Sequence, residues 1–112
     1  MEWTARYGPY KWTEIDPAEV VRRLGSAQPP LVLDVREPRE HQEGVIPGAV
    51  LLPLGQLPTR FAELNKEQET VVVCAHGMRS ADATLFLAAR GFTQVKSMAG
   101  GMSHWTGPVQ QP

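Results

Sequence analysis

The sequence predicts an α/β fold: a largely parallel sheet with helices on both faces. Three observations carry this. Two continuous apolar runs, Leu31-Val32-Leu33-Asp34-Val35 and Val71-Val72-Val73-Cys74, read as strands covered on both sides. Segments of helical spacing alternate with such runs along the chain, which is the order that builds parallel pairs. Finally, Asp16-Pro17-Ala18-Glu19 carries an N-cap residue, a proline for the first helical position and a glutamate where a capping box places it.

In chain order, residues 1–10 contain Gly8-Pro9 and no periodicity, and read as an arm that Trp3, Tyr7 and Tyr10 pin to the surface. Lys11 to Ile15 is a candidate short strand. A helix runs from Pro17 to Leu24, with Gly25 as its stop. Gln28-Pro29-Pro30 is a turn before the strand Leu31–Val35. Pro38 to Glu43 is a short helix ended by Gly44, and Ile46-Pro47-Gly48 is turn chemistry. Ala49 to Leu52 is a third strand. Leu54, Leu57, Phe61 and Leu64 have helical spacing, with a break expected near Pro58 and Asn65 as a cap. The strand Thr70–Val73 leads through the Cys74 loop into a helix, Ser80 to Arg90, stopped by Gly91. Val95 to Met98 is a fifth strand. Gly100-Gly101 is a loop, Met102 to Trp105 a short turn with Trp105 plugging the core, and residues 107–112 a frayed tail.

The chain has 112 residues, enough for one domain with a real core, so a single domain over 1–112 is expected. Its net charge is −1 and it has no basic stripe, which argues against nucleic-acid binding. No apolar run is long enough to span a membrane, and Met1 to Arg6 lacks the features of a signal peptide. One cysteine rules out an internal disulfide and makes the reducing cytoplasm the expected location.

That cysteine stands at the tip of a strand, the position where open α/β sheets bind ligands. The next helix starts just behind it, and helix N-termini favour anions because their first N–H groups are unpaired. Cys74 has two readings: a small buried hydrophobe after three valines, or a reactive thiol. Gly77 and Arg79 favour the second. Gly77 lets the backbone curl and aim several N–H groups at one point. Arg79 is a permanent cation with a forked donor set suited to a polyatomic anion. His76 is read as a loop side chain that trims the pocket rather than as an acid or base. His41, His76 and His104 have no ligand spacing, so no metal is expected. Met78 and Met102 either line the mouth or fill the core. Asp34 is a candidate to hydrogen-bond toward the loop, while Arg36 and Glu37 tie strand ends together.

Four motifs in order, Leu33-Asp34-Val35-Arg36-Glu37, Gly44-Val45-Ile46-Pro47-Gly48-Ala49, Cys74-Ala75-His76-Gly77-Met78-Arg79-Ser80 and Ala99-Gly100-Gly101-Met102-Ser103-His104-Trp105, resemble the rhodanese family of sulfurtransferases. The resemblance spans about Thr13 to Trp105. It implies a three-layer α/β/α fold with a five-stranded parallel sheet. It implies that Cys74 is the catalytic nucleophile and carries a sulfane sulfur as a persulfide. It makes Ala75, His76, Gly77, Met78, Arg79 and Ser80 the substrate-binding loop, with Asp34 and Arg36 in supporting positions. The implied reaction moves sulfur from a donor such as thiosulfate to cyanide or a thiol, without metal or organic cofactor. Cys74 to Arg79 spans the six residues of sulfur-transferring members. Phosphatases of this fold have a loop one residue longer, so a Cys74-dependent phosphatase ranks below sulfur transfer. A third reading is a carrier that hands its persulfide sulfur to a protein partner of a sulfur relay.

Overall fold

A computed structural model describes residues 12–112. The expected pinning of the arm through Trp3, Tyr7 and Tyr10 lies outside the described residues. The elements are β1 (Glu14–Ile15), α1 (Pro17–Leu24), β2 (Leu31–Asp34), α2 (Pro38–Gln42), β3 (Val50–Leu51), α3 (Leu57–Arg60), β4 (Thr70–Val73), α4 (Met78–Ala88) and β5 (Val95–Met98). Short 3-10 turns flank α3, and another spans Gly101–His104. The five strands form one sheet in the order β1-β5-β4-β2-β3, and every pair is parallel.

Strand alternation divides the core. Val71 and Val73 join Val32, Val20 and Ile46 on the face covered by α1. Val72 and Cys74 join Leu33, Leu57, Ala83 and Leu87 on the face covered by α3 and α4. Successive strand residues point to opposite faces, so Cys74 emerges on the side of the helix that follows it. All of β4 is buried, as expected for the central strand of a doubly covered sheet.

Several local expectations need correction. Asp16 is the N-cap residue but makes no side-chain cap hydrogen bond, and Glu19 pairs with Arg22 and Arg23 instead of reaching back to it. Residues 54–63 are not one helix broken at Pro58. They form three short turns, and Pro58 lies in the first turn of α3, where its missing N–H costs nothing. The Cys74 helix starts two residues early, at Met78, because Gly77 at φ +98° turns the chain directly into it. The tail is not frayed at Gln110, which forms an antiparallel bridge with Val45, each N–H donating to the other's carbonyl at 2.9 Å. Gly44 makes room for it: a Cβ there would sit 2.7 Å from the Val109 side chain. Trp105 is half-buried against the α1-side core, and its indole N–H donates to the Pro108 carbonyl at 2.9 Å. Among the described residues no helix is long and apolar enough to cross a membrane.

Candidate active site

The chain leaves β4 at Val73 and curls from Cys74 to Gly77 before α4 begins. That curl aims backbone donors at the Cys74 sulfur. The Gly77 N–H donates to Sγ at 3.0 Å and the Ser80 N–H at 3.3 Å. The Ser80 hydroxyl lies 3.4 Å from the same sulfur, and 2.7 Å from the Ser97 hydroxyl of β5. The sulfur is therefore enclosed by polar hydrogens on the loop side and by apolar core on the other. Such a cradle suits an anionic sulfur species, since fixed N–H dipoles need no reorganisation to stabilise it.

The floor of the loop is fastened from below. The Met102 N–H donates to the Cys74 carbonyl at 2.7 Å, and the Ser103 N–H to the Ala75 carbonyl at 3.0 Å. This contact depends on Gly101, at φ +63°, where a Cβ would lie 2.4 Å from the Cys74 oxygen. The Gly101 backbone thus lies directly against the loop.

The rim is more open than the sulfur. Cys74 is only 1% exposed, whereas His76 is exposed and Met78 is 61% exposed. Met102 packs partly buried against the α1-side core. Ala75, Gly77 and Arg79 are half-buried, and Ser80 is buried.

Arg79 is not a free cation. Its guanidinium forms a two-pronged pair with Glu40 of α2, Nη1 to Oε1 at 2.6 Å and Nη2 to Oε2 at 2.8 Å. Hydrogen bonding from Arg79 pulls the Glu40 carboxyl down to about 2. The same bond raises the Arg79 pKa further. Glu40 is fixed in turn by the Glu37 N–H, which donates to Oε1 at 2.9 Å. Sequence reasoning missed Glu40 and Ser97. The signal for Glu40 was the acidic third position of a helix opened by Glu37-Pro38, a capping-box arrangement with an uncommon N-cap residue.

Asp34 and Arg36 direct their side-chain hydrogen bonds to each other, to Gly44 and to His41. Arg36 clasps Asp34 with Nε to Oδ1 and Nη2 to Oδ2, both at 2.9 Å, and also donates to the Gly44 carbonyl at 2.8 Å. His41 Nδ1 lies 3.0 Å from Asp34 Oδ2. Burial works against the Asp34 charge, but hydrogen bonds from Arg36 and His41 outweigh it and hold the carboxyl below its ordinary range. This buried cluster fastens α2 to the end of β2, and so supports Glu40 at one remove.

Among the described residues no three His, Cys, Asp or Glu side chains come together as a metal site. A groove of about 570 Å³ between Val21, Leu24, Pro30 and Trp105 includes no residue of the Cys74 loop.

Comparison with known proteins agrees with the fold. The rhodanese-like domain family matches residues 16–108. A sulfurtransferase of Allochromatium vinosum is 35% identical over 92 residues, covering 82% of this chain and 86% of the relative. The thiosulfate sulfurtransferase GlpE of Pseudoalteromonas translucida is 36% identical over 75 residues, 67% of this chain and 71% of the relative. The crystal structure of a rhodanese-like domain protein from Staphylococcus aureus superposes with a TM-score of 0.83 at 31% identity, covering 89% of this chain and 98% of that one. A parallel five-stranded sheet, a cysteine loop at the tip of its central strand and a family match over most of the length lead to one conclusion: the chain belongs to the rhodanese-like family.

Proposed function

We propose that the protein is a sulfurtransferase that moves a sulfane sulfur from a donor such as thiosulfate to cyanide or a thiol through a persulfide on Cys74. The observation that supports it is the convergence of the Gly77 and Ser80 N–H groups on the Cys74 sulfur within a six-residue loop. In the first step the Cys74 thiolate attacks the outer sulfur of thiosulfate. A sulfur–sulfur bond forms to Sγ, the bond to the sulfonate sulfur breaks, and sulfite leaves with the electron pair. In the second step the acceptor takes the terminal sulfur, and the pair of the broken bond returns to Sγ. This is covalent catalysis by an activated nucleophile. The N–H groups around Sγ favour both the attacking thiolate and the persulfide anion. A thiol that must stay reduced between turnovers fits a reducing compartment.

Intact-mass measurement after incubation with thiosulfate tests the reading. The protein should gain one sulfur atom and lose it to cyanide as thiocyanate, and Cys74→Ser should do neither. Sulfur transfer surviving in Cys74→Ser would defeat the proposal. Stable loading with negligible release to cyanide or small thiols would turn it toward a carrier that serves a protein partner.

A further inference from the structure

An arginine at the end of this loop is the group that should meet an anionic donor, yet a carboxylate meets it first. Glu40 comes from a different helix and engages both terminal nitrogens of Arg79, at 2.6 and 2.8 Å. It is positioned for this by the Glu37 N–H and by the α2 anchor at Asp34, Arg36 and His41. The two side chains are 35% and 21% exposed, so an incoming donor reaches the same place in competition with the carboxylate. Glu37 also lies within electrostatic reach of Arg79 and adds negative charge around it. Glu40 therefore offsets the rim's cation before any donor arrives. A dianion then approaches an anionic nucleophile with little net attraction to offset the repulsion, and each negative charge removed from the donor lessens that repulsion.

Resting on the reading of Cys74 as the sulfur acceptor, we infer that Glu40 is a specificity-determining residue: acting through Arg79, it favours sulfur donors that carry a single negative charge, such as thiosulfonates and persulfides, over the thiosulfate dianion. Glu40 is a positioning residue, since it touches Arg79 and not the reacting sulfur.

Methanethiosulfonate and thiosulfate isolate the charge. In both, Cys74 attacks the sulfane sulfur and the bond to the oxidised sulfur breaks. The electron pair leaves on methanesulfinate in one case and on sulfite in the other. The experiment measures persulfide formation on Cys74 from each donor, in the wild-type protein, Glu40→Gln and Glu40→Asp, at low and high salt. Glutamine still supports the α2 cap, so the fold of Glu40→Gln should persist. Glu40→Gln should raise kcat/KM for thiosulfate relative to methanethiosulfonate by about fivefold. That gain should shrink at high salt, which screens the freed Arg79. Glu40→Asp, which keeps the carboxylate, should retain the wild-type ratio. In the wild-type protein the ratio should rise with salt, because screening relieves the dianion's repulsion more than the monoanion's, a measurement that needs no variant. An unchanged or lower ratio in Glu40→Gln, or a fall with salt in the wild-type protein, overturns the inference while leaving sulfur transfer intact. Failure of both donors to load the wild-type protein overturns the sulfur-acceptor reading itself, and this inference with it.

Discussion

Ser80 meets the Cys74 sulfur twice, through its backbone N–H at 3.3 Å and its hydroxyl at 3.4 Å, and the hydroxyl continues to Ser97 at 2.7 Å. Ser80→Ala removes only the hydroxyl. It leaves the fully buried Ser97 hydroxyl without that partner, at a cost of about 1–3 kcal/mol in stability. The amide stays in place, so sulfur loading should slow rather than vanish. Urea midpoints and initial loading rates check the two halves of this expectation. A complete loss of loading in a folded Ser80→Ala protein would show that the hydroxyl, and not the amide cradle, governs the sulfur.

Two glycines separate backbone strain from crowding. Gly48 at φ +83° has nothing within 4 Å of an added Cβ, whereas Gly101 at φ +63° has the Cys74 carbonyl at 2.4 Å. Gly48→Ala should lose about 1–2 kcal/mol from its left-handed backbone alone. Gly101→Ala should lose roughly 2 kcal/mol more and should also impair sulfur loading, because the loop floor must move. Equal midpoints for the two variants in urea would contradict the close approach at Gly101.

The Glu40 carboxyl has a pKa lowered from 4.5 to about 2. A depressed acid stabilises the fold above its unfolded value, and that contribution is lost as pH falls through the folded value. The stability gap between the wild-type protein and Glu40→Gln should thus be full at pH 6 and shrink progressively between pH 4.5 and 2. Because solvent reaches the pair, the gap should be modest throughout. Urea titrations of both proteins along this pH series check it; a gap that widens on acidification would reverse the sign.

On the sulfurtransferase reading, the six-residue loop from Cys74 to Arg79 takes a sulfur atom and not a phosphoryl group. An aryl phosphate should yield no phenolate above the buffer rate, while thiosulfate and cyanide yield thiocyanate. Absorbance assays of both reactions on one preparation decide between them. Phosphate release that disappears in Cys74→Ser would reverse the ranking of the two chemistries.

The strands were legible because β2 and β4 are buried on both faces and so are written as unbroken apolar runs, Leu31–Leu33 and Val71–Val73. The loop was legible because glycine, arginine and cysteine each have a local reason to stand there. What escaped was tertiary. Glu40 and Arg79 are 39 residues apart, and Val45 and Gln110 are 65 apart, so no periodicity links either pair. The Asp16–Glu19 signature located the helix start, but its capping box does not form: Glu19 pairs with Arg22 and Arg23 instead. Residues 54–63 had helical spacing, but Pro53, Gly55 and Pro58 interrupt its first half, and the segment forms three short turns.

The fastening of the loop floor, Met102 to the Cys74 carbonyl and Ser103 to the Ala75 carbonyl, bears on how acceptors are ranked. A floor tied at successive carbonyls presents every incoming nucleophile with the same preset geometry, so the protein's share of the barrier is a constant. Differences among small acceptor thiols then arise from the thiols themselves. Plotted as log rate against acceptor basicity, they should fall on one straight line with the slope of about 0.4–0.5 that thiolates show in free exchange. In that plot the fold sets the intercept and leaves the gradient to the acceptor.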